Sequence, residues 1–252
     1  MIKFFRRIRQ QMIKDNRFTK YTLYAIGEIV LVVIGILIAL QINSWNTEKN
    51  NRELEQQYIS RLINELNDEV TRFTALKNGF ERQNESVTRL LNFWKDDDVI
   101  VQDTVQFWRD FFAGSGAGPW HKEPVIWTQL VQSGELKLIK DQETIEALFN
   151  HYADVKSTSD NFNEYPTQTT NEVRKLIATT FAKTDYLLTP GGRVGLPPGN
   201  VLEVVLKEKA NYRVPFVRVG IIARIHAGTM DRLIESTQKV IARLEKNMDN
   251  ND

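Results

Sequence analysis

No cysteine occurs in the 252 residues, which removes disulfides, thiolate metal sites and a cysteine nucleophile while leaving the compartment open. The three histidines stand apart at His121, His151 and His226, with no HExxH pattern among them. A GxSxG elbow and a P-loop are both missing. Gly114, Gly116 and Gly118 make only a GxGxG run, with no strand before it to form a nucleotide fingerprint. Asp96, Asp97 and Asp98 lack the spacing and central glycine of a calcium loop and read as an acidic turn. His151 and Asp154, one helical turn apart, read as a surface contact or as half of a metal site. No catalytic residue, cofactor site or metal site can be assigned from these patterns. Charge is nearly balanced, 33 basic residues against 32 acidic. Beyond Ile42 the balance is 26 basic to 30 acidic; this mildly acidic bulk argues against nucleic acid as a partner, since phosphate neutralisation needs a basic face.

Strand signals are almost absent as well; what is present is helical. From Leu23 to Ile42 the chain carries one formal charge, Glu28, and thirteen Leu, Ile or Val residues. Twenty helical residues reach ~30 Å, the thickness of a bilayer's hydrocarbon core. The thirteen aliphatics supply roughly 4–8 kcal/mol of insertion free energy, against about 2.5–3.5 for one charge at the centre, so insertion wins even with Glu28 ionised. The stretch is longer than a signal-peptide core, and no small-x-small site follows it. Seven basic residues stand before it (Lys3, Arg6, Arg7, Arg9, Lys14, Arg17, Lys20), and basic flanks stay cytoplasmic. Tyr21 and Tyr24 on the near side and Trp45 on the far side suit the two interfaces. The expected organisation is a basic cytoplasmic segment over 1–20, a membrane helix over 21–45 and an extracytoplasmic helical bundle over 46–252. The lipid bilayer is then a partner by construction. Ile2, Phe5, Ile8 and Met12 share a helical face, so the basic segment is either an inner-leaflet helix or a tail that only sets topology.

Within the span, Ala25, Glu28, Val32, Gly35 and Ala39 follow 3- and 4-residue steps. They form a helix–helix interface, or else Glu28 merely reaches the cytoplasmic interface and the small residues are incidental. No Pro or Gly interrupts residues 37–78, so the helix can run on. Its stripe is Leu54, Tyr58, Leu62, Leu66, Val70, Phe73, Phe80, Val87, Leu91 and Trp94, at steps of 3, 4 and 7. Asp103 should cap a short aromatic helix with Phe107, Trp108, Phe111 and Phe112, followed by a flexible loop from Gly114 to Pro119. Pro124 should open the next helix at its first position, carrying Ile126, Trp127, Leu130 and Val131 to a stop at Gly134. Residues 135–139 read as a brief extended connection. Asp141 should start a longer helix with Ile145, Leu148, Phe149, Tyr152 and Val155 inward, kinked or broken at Pro166. After a loop over 184–200, the last segment runs from about Val201 to Met248 with a break at Pro215. Its stripe reads Ile221, Ile222, Ile225, Thr229, Leu233, Ile234, Ile241 and Leu244. The fold class is all-α, with the first and last long helices packed together.

Two groups of residues invite a functional reading. One is the Glu28, Val32, Gly35, Ala39 face. The other is the aromatic set Trp108, Phe111, Phe112, Trp120 and Trp127, which either lines a ligand site or plugs the end of the bundle.

The N-terminal block, from Met1-Ile-Lys-Phe-Phe-Arg6 through Tyr24-Ala-Ile-Gly-Glu-Ile-Val30 to Val33-Ile-Gly-Ile-Leu-Ile-Ala-Leu-Gln-Ile-Asn43 and Trp45-Asn46, resembles an uncharacterised family of bacterial single-pass inner-membrane proteins. The Ser133-Gly-Glu-Leu-Lys-Leu-Ile139 stretch resembles the same family's mid-chain pattern. The resemblance implies an inner-membrane anchor with the bulk of the chain in the periplasm, and carries over no activity. Two functional expectations follow. The chain is a non-enzymatic, membrane-tethered interaction protein that binds a protein partner or a second copy, or it is a periplasmic small-molecule sensor that works through a membrane partner.

Overall fold

The computed structural model describes residues 18–95, 101–116, 122–184, 196–197 and 199–249, without the side chains of 18–21, 163 and 249. The basic segment before Phe18, the Asp96–Asp98 turn, Trp120 and His121 lie outside the described residues. Six α-helices follow one another among the described residues: α1 (Phe18–Phe93), α2 (Thr104–Ala113), α3 (Val125–Ser133), α4 (Gln142–Ala182), α5 (Gly199–Lys207) and α6 (Lys209–Asp249). A 3₁₀ turn, Glu135–Leu138, joins α3 to α4. No strand occurs among the described residues, so the all-α expectation holds. The extended connection expected at 135–139 is instead this 3₁₀ turn. Gly134 sits at φ 71°, a conformation glycine adopts without steric cost, and its amide caps α3 on the Leu130 and Val131 carbonyls.

The chain divides into two units, Met1–Gln57 and Tyr58–Asp252. In the first, α1 carries an apolar stretch: its best window has a mean hydropathy of 2.7 and none of that window is buried. Leu23, Ile29, Leu31, Leu37 and Ile42 are each more than half exposed. This is one helix long and apolar enough to cross a membrane.

The second unit is built on three apolar clusters met in order along α1. Tyr58, Ile59, Leu62 and Leu66 pack with Trp127, Leu130, Leu148, Tyr152, Val240, Ile241 and Leu244. Phe73 meets Val155, Phe162, Met230 and Leu233. Val87, Leu90 and Trp94 meet Phe107, Trp108, Phe111, Val173, Phe181, Tyr212, Phe216 and Val219. Residue numbers rise along α1 and α4 together and fall along α6, so α6 runs antiparallel to both. The sequence stripe on this stretch of α1 was therefore correctly oriented, and the first and last long helices do pack together.

Two prolines fail to break their helices. Pro166 lies inside α4 and Pro215 inside α6. A buried helix proline costs about 3 kcal/mol. Around Pro166 that cost is outweighed by Phe162, Val173, Ile177 and Phe181, buried side chains worth ~1.5–3 kcal/mol each. The hydroxyls of Thr169 and Thr170 donate to the Tyr165 and Pro166 carbonyls at 3.1 and 2.9 Å. The break expected at Pro215 falls instead between Lys207 and Lys209.

Candidate functional site

Aromatic residues do not form one group. Trp108 and Phe111 are buried at 1% and 0% exposure in the cluster of Trp94, Phe107, Phe181, Tyr212 and Phe216, with Phe112 packed against it. Trp127 belongs to a different cluster, where its ring stacks on Tyr152 at 4.8 Å and 17°. The α2 aromatics make edge and stacked contacts at 5.2–6.4 Å, among them Phe107–Trp108 and Trp94–Phe111. They pack together at one end of the bundle. Asp103 caps α2 as its sequence foretold, accepting the Gln106 amide at 2.9 Å. The glycine run that follows α2 is pinned as far as it is described. Gln83 Nε2 donates to the Ala113 and Gly116 carbonyls at 2.8 and 2.9 Å, and Arg174 Nε to the Ser115 carbonyl at 2.9 Å. A Cβ at Gly114 would run into the Phe216 ring.

The opposite end is threaded with polar groups, which sequence reasoning missed. The N-terminus of α3 has no side-chain cap of its own, because its N-cap is Pro124. Glu65, reaching across from α1, accepts the Val125, Ile126 and Trp127 amides at 2.6, 2.8 and 3.3 Å. An anion suits the positive end of a helix, so a carboxylate 60 residues upstream does the work of a local cap. Tyr152 donates to the same carboxylate at 3.2 Å. Burial first, then the charges of Glu69 and Glu65, hold the Tyr152 hydroxyl far above its usual range. One turn along α1, Glu69 is buried at 1% exposure and meets His151 Nε2 at 2.9 Å, with Arg72 at 3.8 Å. His151 therefore pairs with Glu69 and not with Asp154, whose side chain is exposed. The signal was present: Glu69 stands three residues after Leu66 and four before Phe73, on the core-facing steps, and His151 three after Leu148.

Glu69 Oε1, Arg72 Nε and His151 Nδ1 are buried without a hydrogen-bond partner among the described residues. Glu69 and Arg72 line a cleft of about 280 Å³ that also touches Arg61, Asp68, Lys122 and Ile126. Lined by both cations and carboxylates, such a cleft can hold a small polar molecule. No group of three His, Asp or Glu residues able to hold a metal ion occurs among the described residues.

A third feature is a surface. On α6, Val214, Val217, Ile221 and Ile225 are 59%, 39%, 45% and 58% exposed. Ile221 and Ile225 were expected in the core. The buried face of this stretch is instead Tyr212, Phe216, Val219, Ala223, Ala227 and Met230. Likewise Phe149, expected inward, is 48% exposed and touches Trp127 edge-on at 4.8 Å. In the span, Val32 is 55% exposed, and nothing lies within 4 Å of where a Cβ on Gly35 would stand. Glu28 and Ala39 are exposed on the same face.

Fold and surface together define an all-helical protein with one apolar N-terminal helix able to cross a membrane. Residues 28–114 match DUF6090, a family of unknown function. The matched stretch holds the Glu28–Ala39 face, Glu65, Glu69 and the α2 aromatics, and stops before Trp127, His151 and the exposed stripe of α6. Neither a curated protein nor a solved structure matches the chain.

Proposed function

We propose that this chain is a single-span protein of a bacterial inner membrane, with its N-terminus in the cytoplasm and its helical domain in the periplasm, and that it works as an interaction protein and not as an enzyme. The carrying observation is the exposed Val214, Val217, Ile221, Ile225 stripe on a helix whose other face already fills the core. A globular surface shows scattered apolar residues, whereas four in 3- and 4-residue steps form a seam. The topology rests on an apolar segment that is exposed all round, which water does not tolerate and lipid does, and on the basic residues that precede it. A photo-crosslinker at position 221, activated in native membranes, should give discrete adducts. Their absence would overturn the reading for this surface. A reporter fused to the C-terminal end should be active only in the periplasm, and cytoplasmic activity would overturn the orientation.

One observation favours a second reading, a periplasmic small-molecule sensor. The cleft over Glu69 and Arg72 has both a buried acceptor and a buried donor without hydrogen-bond partners among the described residues. A thermal-shift screen of small zwitterions should then raise the melting temperature of the wild type and not of an Arg72→Leu variant. No shift across the screen would remove this reading.

A further inference from the structure

We infer that the exposed α6 seam docks an acidic amphipathic helix of a partner protein; the inference rests on the interaction reading above and gives the partner its chemistry. Between Lys209 and Met230 the chain carries Lys209, Arg213, Arg218 and Arg224 and no acid at all. At about 100° per residue, Val214, Val217, Ile221 and Ile225 fall on the side of α6 roughly opposite Tyr212, Phe216, Val219 and Ala223. Arg218 and Arg224 flank Ile221, and Arg213 stands beside Val214. All three arginines are exposed. Arg218 reaches Glu172 on α4 at 3.1 Å, an exposed pair that competes weakly with a new partner. Arg213 and Arg224 make no ion pair among the described residues. The surface is thus a β-branched seam of about three turns, bordered on both sides by positive charge.

Charge decides among occupants. A second copy using the same seam would set one arginine-bordered patch against another, because a two-fold contact pairs a patch with itself; like charges repel. A bilayer surface selects a broad apolar face with Trp, Phe or Leu, whereas this seam is narrow, wholly Val and Ile, and lacks an aromatic. A helix carrying its own aliphatic seam with Glu or Asp beside it satisfies both features, as flanking charges do in paired helices. The contact is small and belongs with transient assemblies, so its affinity should be strongly salt-dependent.

The test uses the full chain in nanodiscs and two synthetic helices with one Leu/Ile seam, one flanked by Glu and the other by Lys, with binding read by fluorescence anisotropy. The Glu helix should bind, weaken with added salt, and lose at least ~10-fold in affinity with Ile221→Asp or Ile225→Asp. Both positions are exposed, so unchanged melting of these variants shows that folding is intact. Arg213→Glu combined with Arg224→Glu should reverse the preference to the Lys helix. Equal binding of the two helices, binding of neither, or binding of anionic vesicles that Ile221→Asp abolishes would overturn the inference. The crosslinker at position 221 separates this failure from the broader one. Adducts mapping to an acidic helical segment support the inference. Adducts to a second copy, or to a neutral or basic segment, overturn it while leaving the interaction reading standing. No adducts overturn both.

Discussion

The two ends of the helical domain are held by different chemistry, although the same three long helices build both. At one end Trp94, Phe107, Trp108, Phe111, Tyr212 and Phe216 interlock ring against ring. Its buried Tyr212 hydroxyl donates to the Thr180 hydroxyl and the Leu176 carbonyl, and burial pushes that phenol up to about 12. The Trp94 indole nitrogen beside it is buried without a hydrogen-bond partner among the described residues, and Asp110 is paired with Arg89. At the other end the aliphatic core of Leu62, Leu66, Leu148 and Leu244 is edged by partner-dependent polar contacts. These are Glu65 on the α3 amides, Glu69 on His151, and Asp141 accepting from Thr144 and Asn247. Tyr58 donates to Glu135, which raises the phenol and lowers the carboxyl. An aromatic core fails when volume is lost. A polar-edged core fails when one partner is removed and the other is stranded.

Removing volume from the aromatic end should have the largest effect. Trp108→Ala should cost about 3–5 kcal/mol, because the neighbouring rings cannot collapse into the space. The readout is thermal or chemical unfolding of the chain in detergent. A loss under ~1 kcal/mol would mean this end is loosely packed, and the contrast between the ends would break.

At the polar end, His151→Leu should cost about 3 kcal/mol by leaving the buried Glu69 without its hydrogen-bond partner and with only the longer Arg72 contact. The comparison sharpens in the double variant Glu69→Met/His151→Leu, which should recover most of the loss because both polar groups are gone. No second substitution of this kind should rescue Trp108→Ala. If the double variant is as unstable as the single, the pair is held by something beyond its own charge and hydrogen bond.

Glu65→Ala should come next, at about 1–2 kcal/mol, the range for loss of an N-terminal cap. The damage should be local: hydrogen exchange of the Val125, Ile126 and Trp127 amides should speed up while the α2 amides stay protected. Uniform acceleration across both ends would show that the ends unfold as one unit.

Much of this was legible in the sequence wherever one local rule decided the outcome. The 3- and 4-residue steps of Leu62, Leu66, Phe73 and Val87 gave the buried face of α1, Asp103 and Asp141 gave two helix starts, and Gly134 gave a helix end. What stayed hidden depended on partners distant in sequence. Glu65 serves as a cap only because α4 and α1 bring the start of α3 against it. Glu69 was passed over because an acid on a core step looks like a misfit until His151, 82 residues away, is placed beside it. The α6 stripe misled for another reason: that helix has two apolar faces, and periodicity alone cannot say which one the core takes. The bulkier face won, with Tyr212, Phe216 and Met230 inside and Ile221 and Ile225 left out.

Between the two ends lies the third cluster, where the smallest effect is expected, and there pH is the lever. His226 is buried with its ring 5.5 Å from Phe80 and 5.4 Å from Phe162, and desolvation lowers its pKa below 6.5. The unfolded chain therefore binds the proton more tightly than the folded one, and stability rises with pH wherever that holds. The contribution is intact above about pH 6.5, and stability falls as pH drops from there through the folded value. Carboxyls held low by hydrogen bonds, such as Glu135, Asp141 and Glu208, contribute stability that is lost only as pH falls below the ordinary carboxylate range, so the two windows separate. His226→Phe should flatten the unfolding free energy between about pH 6.5 and 5 relative to the wild type, leaving the acid limb unchanged. An unaltered slope in that interval would show that the Phe80–Phe162 pocket admits the charged ring, and that this middle cluster is as tolerant of polarity as the Glu65–Glu69 end.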